Sequence, residues 1–207
     1  GGVAIRFAET DMGAIADTNT LLLMHGNESG KRQSVLDASM FRRTMTLNGV
    51  PRLSALQKKF GNAAINLNGS SYLSAPPTED LDLSTGNFTV DLWLRLTVNQ
   101  VYNPLLGVGD GNASGRTTGW MFGIISNELT MYRYDGTAET RQSVAWTPTL
   151  NTWYHLAVVR DGTALRFFVD GVQQGVDQDV SGLDFSRVDD EAFYVGGNFW
   201  MEAGSQY

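Results

Sequence analysis

The chain has 207 residues, 42% of them apolar and 18% charged, which suits one large domain with or without a short extension and excludes a disordered chain. Its formal net charge is −7, unevenly spread: residues 1–60 carry eight Lys/Arg against five Asp/Glu, and the rest carry seven against seventeen. An acidic body lacks the clustered basic surface that phosphates require, so nucleic acid is not an expected partner; Lys31–Arg32, Arg42–Arg43 and Lys58–Lys59 read as solvated surface.

In chain order, residues 1–19 have weak periodicity and read as an extension or linker with one short strand at Val3–Phe7. "TLLLMHG" (20–26) predicts a buried strand ended by Gly, and the polar 27–39 a loop. "RRTMTLNG" (42–49) predicts a short strand turning at Asn48–Gly49, and "SALQKKFG" (54–61) a helical turn. From Ala63 onward, strand signals recur at regular spacing. "AINLNGSSYLSAP" gives two short strands about Asn68–Gly69. In "NFTVDLWLRL", Val90, Leu92, Leu94 and Leu96 point one way and Asp91, Trp93 and Arg95 the other. "PLLGVGD" and "GWMFGII" are strands around a Gly-rich loop; "ELTMYRYDG" follows a turn at Ser126–Asn127.

Next comes "NTWYHLAVVRDGTALRFFVDGVQQG" (151–175), a hairpin with Asp-Gly at both bends. Trp153, His155, Ala157 and Val159 share one of its faces; Tyr154, Leu156 and Val158 share the other. Both faces are largely apolar, which predicts a central strand covered on each side. With "AFYVGG" (192–197) there are roughly ten short strands and no long amphipathic helix, the pattern of two packed antiparallel sheets, an all-β sandwich or jelly roll.

These residues carry a family resemblance. "WYHLAVVRDGTALRFFVDGVQQG" resembles the signature hairpin of laminin G-like domains of the concanavalin A-like lectin/glucanase fold. "LLLMHG" with Asp37 further on, "KKFGNAAINLNGSSYLSAP", "TGNFTVDLWLRL" and "YVGGNFW" stand in the order such domains use. The resemblance covers 20–207 and implies a laminin G-like jelly roll there, preceded by the extension 1–19. Family members usually add a last strand after a segment like "VGGNFWMEAGSQY"; the sequence given stops at Tyr207, so that strand is expected to be lacking. An open edge invites pairing, and the N-terminal extension or a neighbouring copy is expected to fill it.

The chemistry is sparse. With no Cys there is no disulfide and no thiolate. No apolar run approaches a membrane span, no signal peptide is visible, and the sequence begins at Gly1, as a processed product or a piece of something longer would. Retaining glucanases of this fold carry paired carboxylates on one strand, about 5 Å apart. The corresponding strand here offers only Asp91, and Asp189–Asp190–Glu191 reads as a loop cap, so the chain is not expected to be an enzyme. His25 and His155 read as core histidines.

Family members of this kind often bind Ca²⁺ in rim loops; here that cofactor would use Asp110, Asn112, Asn198 and Glu202, from two loops expected to lie near each other. For a glycan, Trp93 flanked by Asp91 and Arg95 is the leading motif, with Tyr102 and Trp200 as loop aromatics; burial of Trp93 under a loop or subunit is the competing reading. The resemblance implies a non-enzymatic structural or binding module of a virion, of tail-fibre or capsid-decoration type, recognising a glycan or host surface. The alternative is a carbohydrate-binding module of a secreted bacterial surface protein or enzyme. Expected partners are a glycan or cell-surface ligand, other virion or surface proteins and further copies of the chain. The expected location is a virion surface, or the extracellular or cell surface.

Overall fold

Apolar residues on alternate positions need a second layer to face, and the computed structural model shows how the chain provides it. It describes residues 3–6, 17–26, 35–76, 81–109, 118–186 and 192–197. Among these there are fifteen strands and no α-helix. The first sheet holds β1 (Val3–Arg6), β2 (Thr20–Leu23), β7 (Phe88–Leu94), β12 (Tyr154–Asp161), β13 (Ala164–Val169) and β14 (Val172–Asp179), in the order β14-β13-β12-β7-β1-β2. The second holds β3 (Thr46–Asn48), β6 (Tyr72–Ala75), β8 (Tyr102–Gly109), β9 (Gly119–Ile125), β10 (Glu128–Tyr134), β11 (Glu139–Ala145) and β15 (Ala192–Val195), in the order β11-β10-β9-β8-β15-β6-β3. A separate hairpin pairs β4 (Arg52–Ser54) with β5 (Ala64–Asn66).

One core lies between the sheets. Val90, Leu92, Leu156, Val158, Leu165 and Phe167 enter it from the first sheet; Leu73, Val108, Trp120, Phe122, Ile124 and Phe193 enter from the second. The all-β sandwich read from the sequence is therefore the fold. The 151–175 hairpin is central: β12 pairs with β7 on one side and β13 on the other. Its bends use different turn chemistry. Val169 pairs with Val172 across Asp170 and Gly171, both at positive φ, whereas at the first bend Asp161 stays in the strand and Gly162 alone adopts positive φ.

Three readings need correction. Residues 54–61 form no helical turn; they continue β4 into the loop of the β4–β5 hairpin. The two strands of "AINLNGSSYLSAP" exist, but β5 pairs with β4, and β6 with β3 and β15. β11 and β14 were not among the strands expected. Both are sheet edges with largely polar or exposed residues, so their apolar periodicity is weak. The strand expected in the extension is β1. It lies between β7 and β2, parallel to both, whereas the other pairings of the described strands are antiparallel.

The segment after β2 is fixed by a buried ion pair. Asp37 accepts from the backbone N–H groups of Leu23 (3.1 Å), Ser39 (2.9 Å) and Arg43 (3.1 Å). Arg43 Nη1 donates to Asp37 Oδ2 at 3.1 Å and also to the Leu21 carbonyl. Both side chains are almost fully buried, and burial holds the Arg43 pKa below its ordinary value. Replacing one partner leaves a buried charge uncompensated. Asp37→Ala is therefore expected to lower the unfolding free energy in urea by about 3–5 kcal/mol. A loss under about 1 kcal/mol, the scale of a surface pair, would show that the network does not hold this segment.

The β10–β11 turn gives a second test. Asp135 accepts from the N–H groups of Thr137 (2.9 Å) and Ala138 (2.8 Å) and pairs with Arg133 at 2.6 Å. The Ala138 and Thr137 bonds hold its carboxyl far below the ordinary aspartate range. A carboxyl depressed on folding stabilises above its unfolded pKa of about 3.9 and loses that effect as pH falls through the folded value. The thermal-stability advantage of the native chain over Asp135→Ala is expected to be full at neutral pH and to shrink on acidification below about pH 4.

Candidate functional site

With Trp120, Phe122 and Ile124 of β9 directed into the core, Met121, Gly123 and Ile125 face the other way. The register continues that outward phase across the whole seven-stranded sheet. One row runs Thr46, Ser74, Tyr194, Gly107, Met121, Tyr132, Arg141. Beside it run Pro104, Gly123, Thr130 and Ser143, then Tyr102, Ile125, Glu128 and Ala145. From β6 to β11 the row crosses five strand spacings, about 24 Å.

This face is aromatic. Met121 and Tyr132 are buried, 1% and 6% exposed, although they lie outside the main core; Tyr102, Ile125 and Tyr134 pack on them. Tyr72 and Tyr194 are half-buried, with ring centroids 5.7 Å apart. Between the tyrosines the floor is glycine. A Cβ on Gly107 would sit 2.7 Å from the Trp120 carbonyl oxygen, and one on Gly123 would sit 2.6 Å from that of Asn103. The extra residue of a β-bulge at Leu105 explains how β8 carries Pro104 and buries two successive leucines. Polar groups frame the row. Asn48 Nδ2 donates to Ser74 Oγ at 2.9 Å, and Glu128 accepts from Arg141 at 2.7 Å and Ser143 at 3.2 Å. Rings with hydrogen-bonding groups at their margins suit a flat, hydroxylated ligand.

The residues predicted from sequence are divided between faces. Tyr102 is not a loop aromatic; it begins β8 and joins the tyrosine face. Asp91, Trp93 and Arg95 project from the outer face of the six-stranded sheet. There Trp93 lies opposite His155, ring centroids 5.4 Å apart, and Asp91 Oδ1 is 3.7 Å from His155 Nε2. Half-buried His155 is therefore no core histidine: alternation gives the core to Leu156 and Val158. Phe60 contacts the Trp93 ring at 5.3 Å, and Lys59 Nζ lies 4.2 Å from its centroid, so a loop covers this tryptophan in part. Arg95 donates to Asn151 O at 3.1 Å and Asn151 Oδ1 at 3.0 Å.

Trp200, Asp110, Asn112, Asn198 and Glu202 lie outside the described residues, as does Asp189–Glu191. Among the described residues no group of three or more His, Cys, Asp or Glu could hold a metal. β8 and β15 are antiparallel, with Gly109 opposite Ala192 and Leu106 opposite Val195.

Sequence reasoning missed Tyr72, Met121, Tyr132, Tyr134 and Tyr194. The signal was there: each stands one position out of phase with its strand's core residues.

No curated protein matches this chain in sequence. Solved structures do match in shape. Domain 4 of AbnA, a GH43 extracellular arabinanase from Geobacillus stearothermophilus, in complex with arabinotriose, is 19% identical, with a TM-score of 0.57 over 76% of this chain and 75% of that one. The receptor binding domain of botulinum neurotoxin D is 13% identical, with a TM-score of 0.57 over 81% of this chain and 43% of that one. The binding domain of botulinum neurotoxin DC, in complex with SialylT, is 13% identical, with a TM-score of 0.57 over 86% and 46%. This chain spans less than half of each toxin domain, and at these identities the likeness establishes the fold. A laminin G-type family model, described as Concanavalin A-like lectin/glucanases superfamily, matches residues 67–206, more than half of the chain. The chain belongs to that superfamily.

Proposed function

We propose that the chain is a non-catalytic binding module whose ligand is a glycan, taken up on the tyrosine face of the seven-stranded sheet. One observation carries this reading: a half-buried pair of rings, Tyr72 and Tyr194, centroids 5.7 Å apart, stands on the far side of that sheet from the core, beside the buried cluster of Met121 and Tyr132. Packing of the two sheets does not require it, and aromatic rings beside hydrogen-bonding groups are what sugar rings need. The arabinotriose and SialylT complexes of the structural neighbours support the ligand class.

The absence of catalysis in this reading rests on carboxylate spacing. On this face Glu128 is ion-paired to Arg141, and Glu139 pairs with Tyr134 at the opposite end of the β10–β11 ladder. Six residues of strand separate them, about 20 Å, far beyond the roughly 5 Å of a retaining glycosidase pair. Display on a virion or cell surface is the proposed setting, since such a face serves a protein that meets its ligand outside. Copy number on purified particles distinguishes a virion component from a module of a secreted surface protein or enzyme.

Binding to a glycan array followed by titration of the best hit tests the assignment. Tyr194→Ala and Tyr72→Ala are each expected to weaken binding at least about ten-fold, the cost of losing a central aromatic contact. Unchanged affinity in both would place the ligand elsewhere. We also propose Ca²⁺ at Asp110, Asn112, Asn198 and Glu202, supported by their oxygen-donor chemistry. Millimolar calcium is then expected to raise the melting temperature of the native chain but not of Asp110→Ala; no shift in the native chain removes the site.

A further inference from the structure

The outer face of the six-stranded sheet carries an arrangement that the tyrosine-face reading does not use. The Lys59 ammonium lies 4.2 Å from the ring centroid of Trp93 and 5.6 Å from that of Phe60. The two rings stand nearly perpendicular, 81° apart. Two aromatic walls on one ammonium are the elements of a cation cage. Beside it, the His155 ring is 5.4 Å from Trp93, and the Asp91 carboxylate is 3.7 Å from His155 Nε2 and mostly buried.

The lysine in this cage is weakly committed. Residues 55–59 of the β4–β5 loop are all exposed, and Gly61 follows at positive φ. No carboxylate of the described residues lies within ion-pair distance of Lys59. A surface cation–π contact is correspondingly easy to displace. A second observation points the same way: Trp93 Nε1 is buried with no hydrogen-bond partner. A buried donor left unpaired is costly, and a ligand oxygen could satisfy it.

We propose that Trp93 and Phe60, with Asp91 and His155 beneath, form a binding site for an organic ammonium that carries a nearby hydroxyl or carbonyl oxygen, and that Lys59 holds the ligand's place in the free chain. The ammonium replaces Lys59 on the Trp93 ring beside Phe60, and the oxygen accepts from Trp93 Nε1. The site does not depend on the tyrosine face binding a glycan.

The probe is glucosamine, titrated calorimetrically at a pH where its amine is protonated, with N-acetylglucosamine as the neutral comparison. Removing the internal competitor in Lys59→Ala is expected to tighten glucosamine binding about two- to five-fold relative to the native chain. N-acetylglucosamine should bind neither protein by this route. Trp93→Phe keeps a ring but loses the N–H and the larger π-face, and is expected to weaken glucosamine binding made in the Lys59→Ala background. The proposal is overturned by equal glucosamine affinity in the native chain and Lys59→Ala, by no binding to Lys59→Ala, by N-acetylglucosamine binding equally well, or by an unchanged affinity in Trp93→Phe.

Discussion

Phe122 of the seven-stranded sheet stacks against Phe167 of the six-stranded sheet, centroids 6.4 Å apart, and both side chains are fully buried. That contact locks the phase of two central strands. Because side chains alternate with period two, a slip of one residue would exchange every inward group for an outward one. The registers carry the phase onward: Phe122 pairs with Leu106 and Met131, and Phe167 with Val158, which pairs with Val90. Met121, Gly123 and Tyr132 must then face outward on one sheet, and Asp91, Trp93 and His155 on the other. Both candidate surfaces are the complement of the core.

A chain without cysteine needs other means of fixing its connections. Here two buried arginines serve. Arg43 joins Asp37 and the Leu21 carbonyl. Arg160, on β12, donates to the carbonyls of Gly162, Ser84, Leu183 and Val180 and lies 5.6 Å from the Phe185 ring. Burial depresses both guanidinium pKa values, yet arginine starts so high that both stay charged. Each gathers backbone acceptors that loops would otherwise bury unpaired. The phase set by Phe122 and Phe167 is thus carried to the ends of strands whose own turns are irregular.

The sandwich was legible because core strands such as "NFTVDLWLRL" and "GWMFGII" write their burial into period-two or continuous apolar runs. β11 and β14 were not, because an edge strand buries little and reads as polar loop. The hairpin β4–β5 was hidden differently: "SALQKKFG" holds its loop, and the Lys pair there imitates an exposed helical turn. At the candidate sites, Trp93 and Asp91 were visible as polar-phase residues on an apolar strand. Their neighbours Lys59 and Phe60, more than thirty positions earlier, were not, since only tertiary folding sets them on the ring. The tyrosine face is a subtler case. Tyr132 and Tyr194 each look like ordinary strand aromatics, and only strand order places them in one row.

The two outer faces differ in chemistry as well as position. On the seven-stranded sheet the Arg141 charge is met by Glu128, and the half-buried rings of Tyr72 and Tyr194 are the part of the face that a neutral ligand would meet. On the six-stranded sheet an ammonium already sits on an aromatic ring beside an acid–histidine pair, which suits a compact cation. Sheets in a sandwich pack about 10 Å apart, and each outer surface lies a further side-chain length away. One small ligand cannot reach both faces. Occupancy of one leaves the other open, and communication between them must pass through the Phe122–Phe167 seam, which is close-packed and resists graded deformation. On the two proposals made above, the ligands would lie on opposite sides of one rigid core, and avidity on a surface would then depend on how copies are spaced rather than on coupling within a copy.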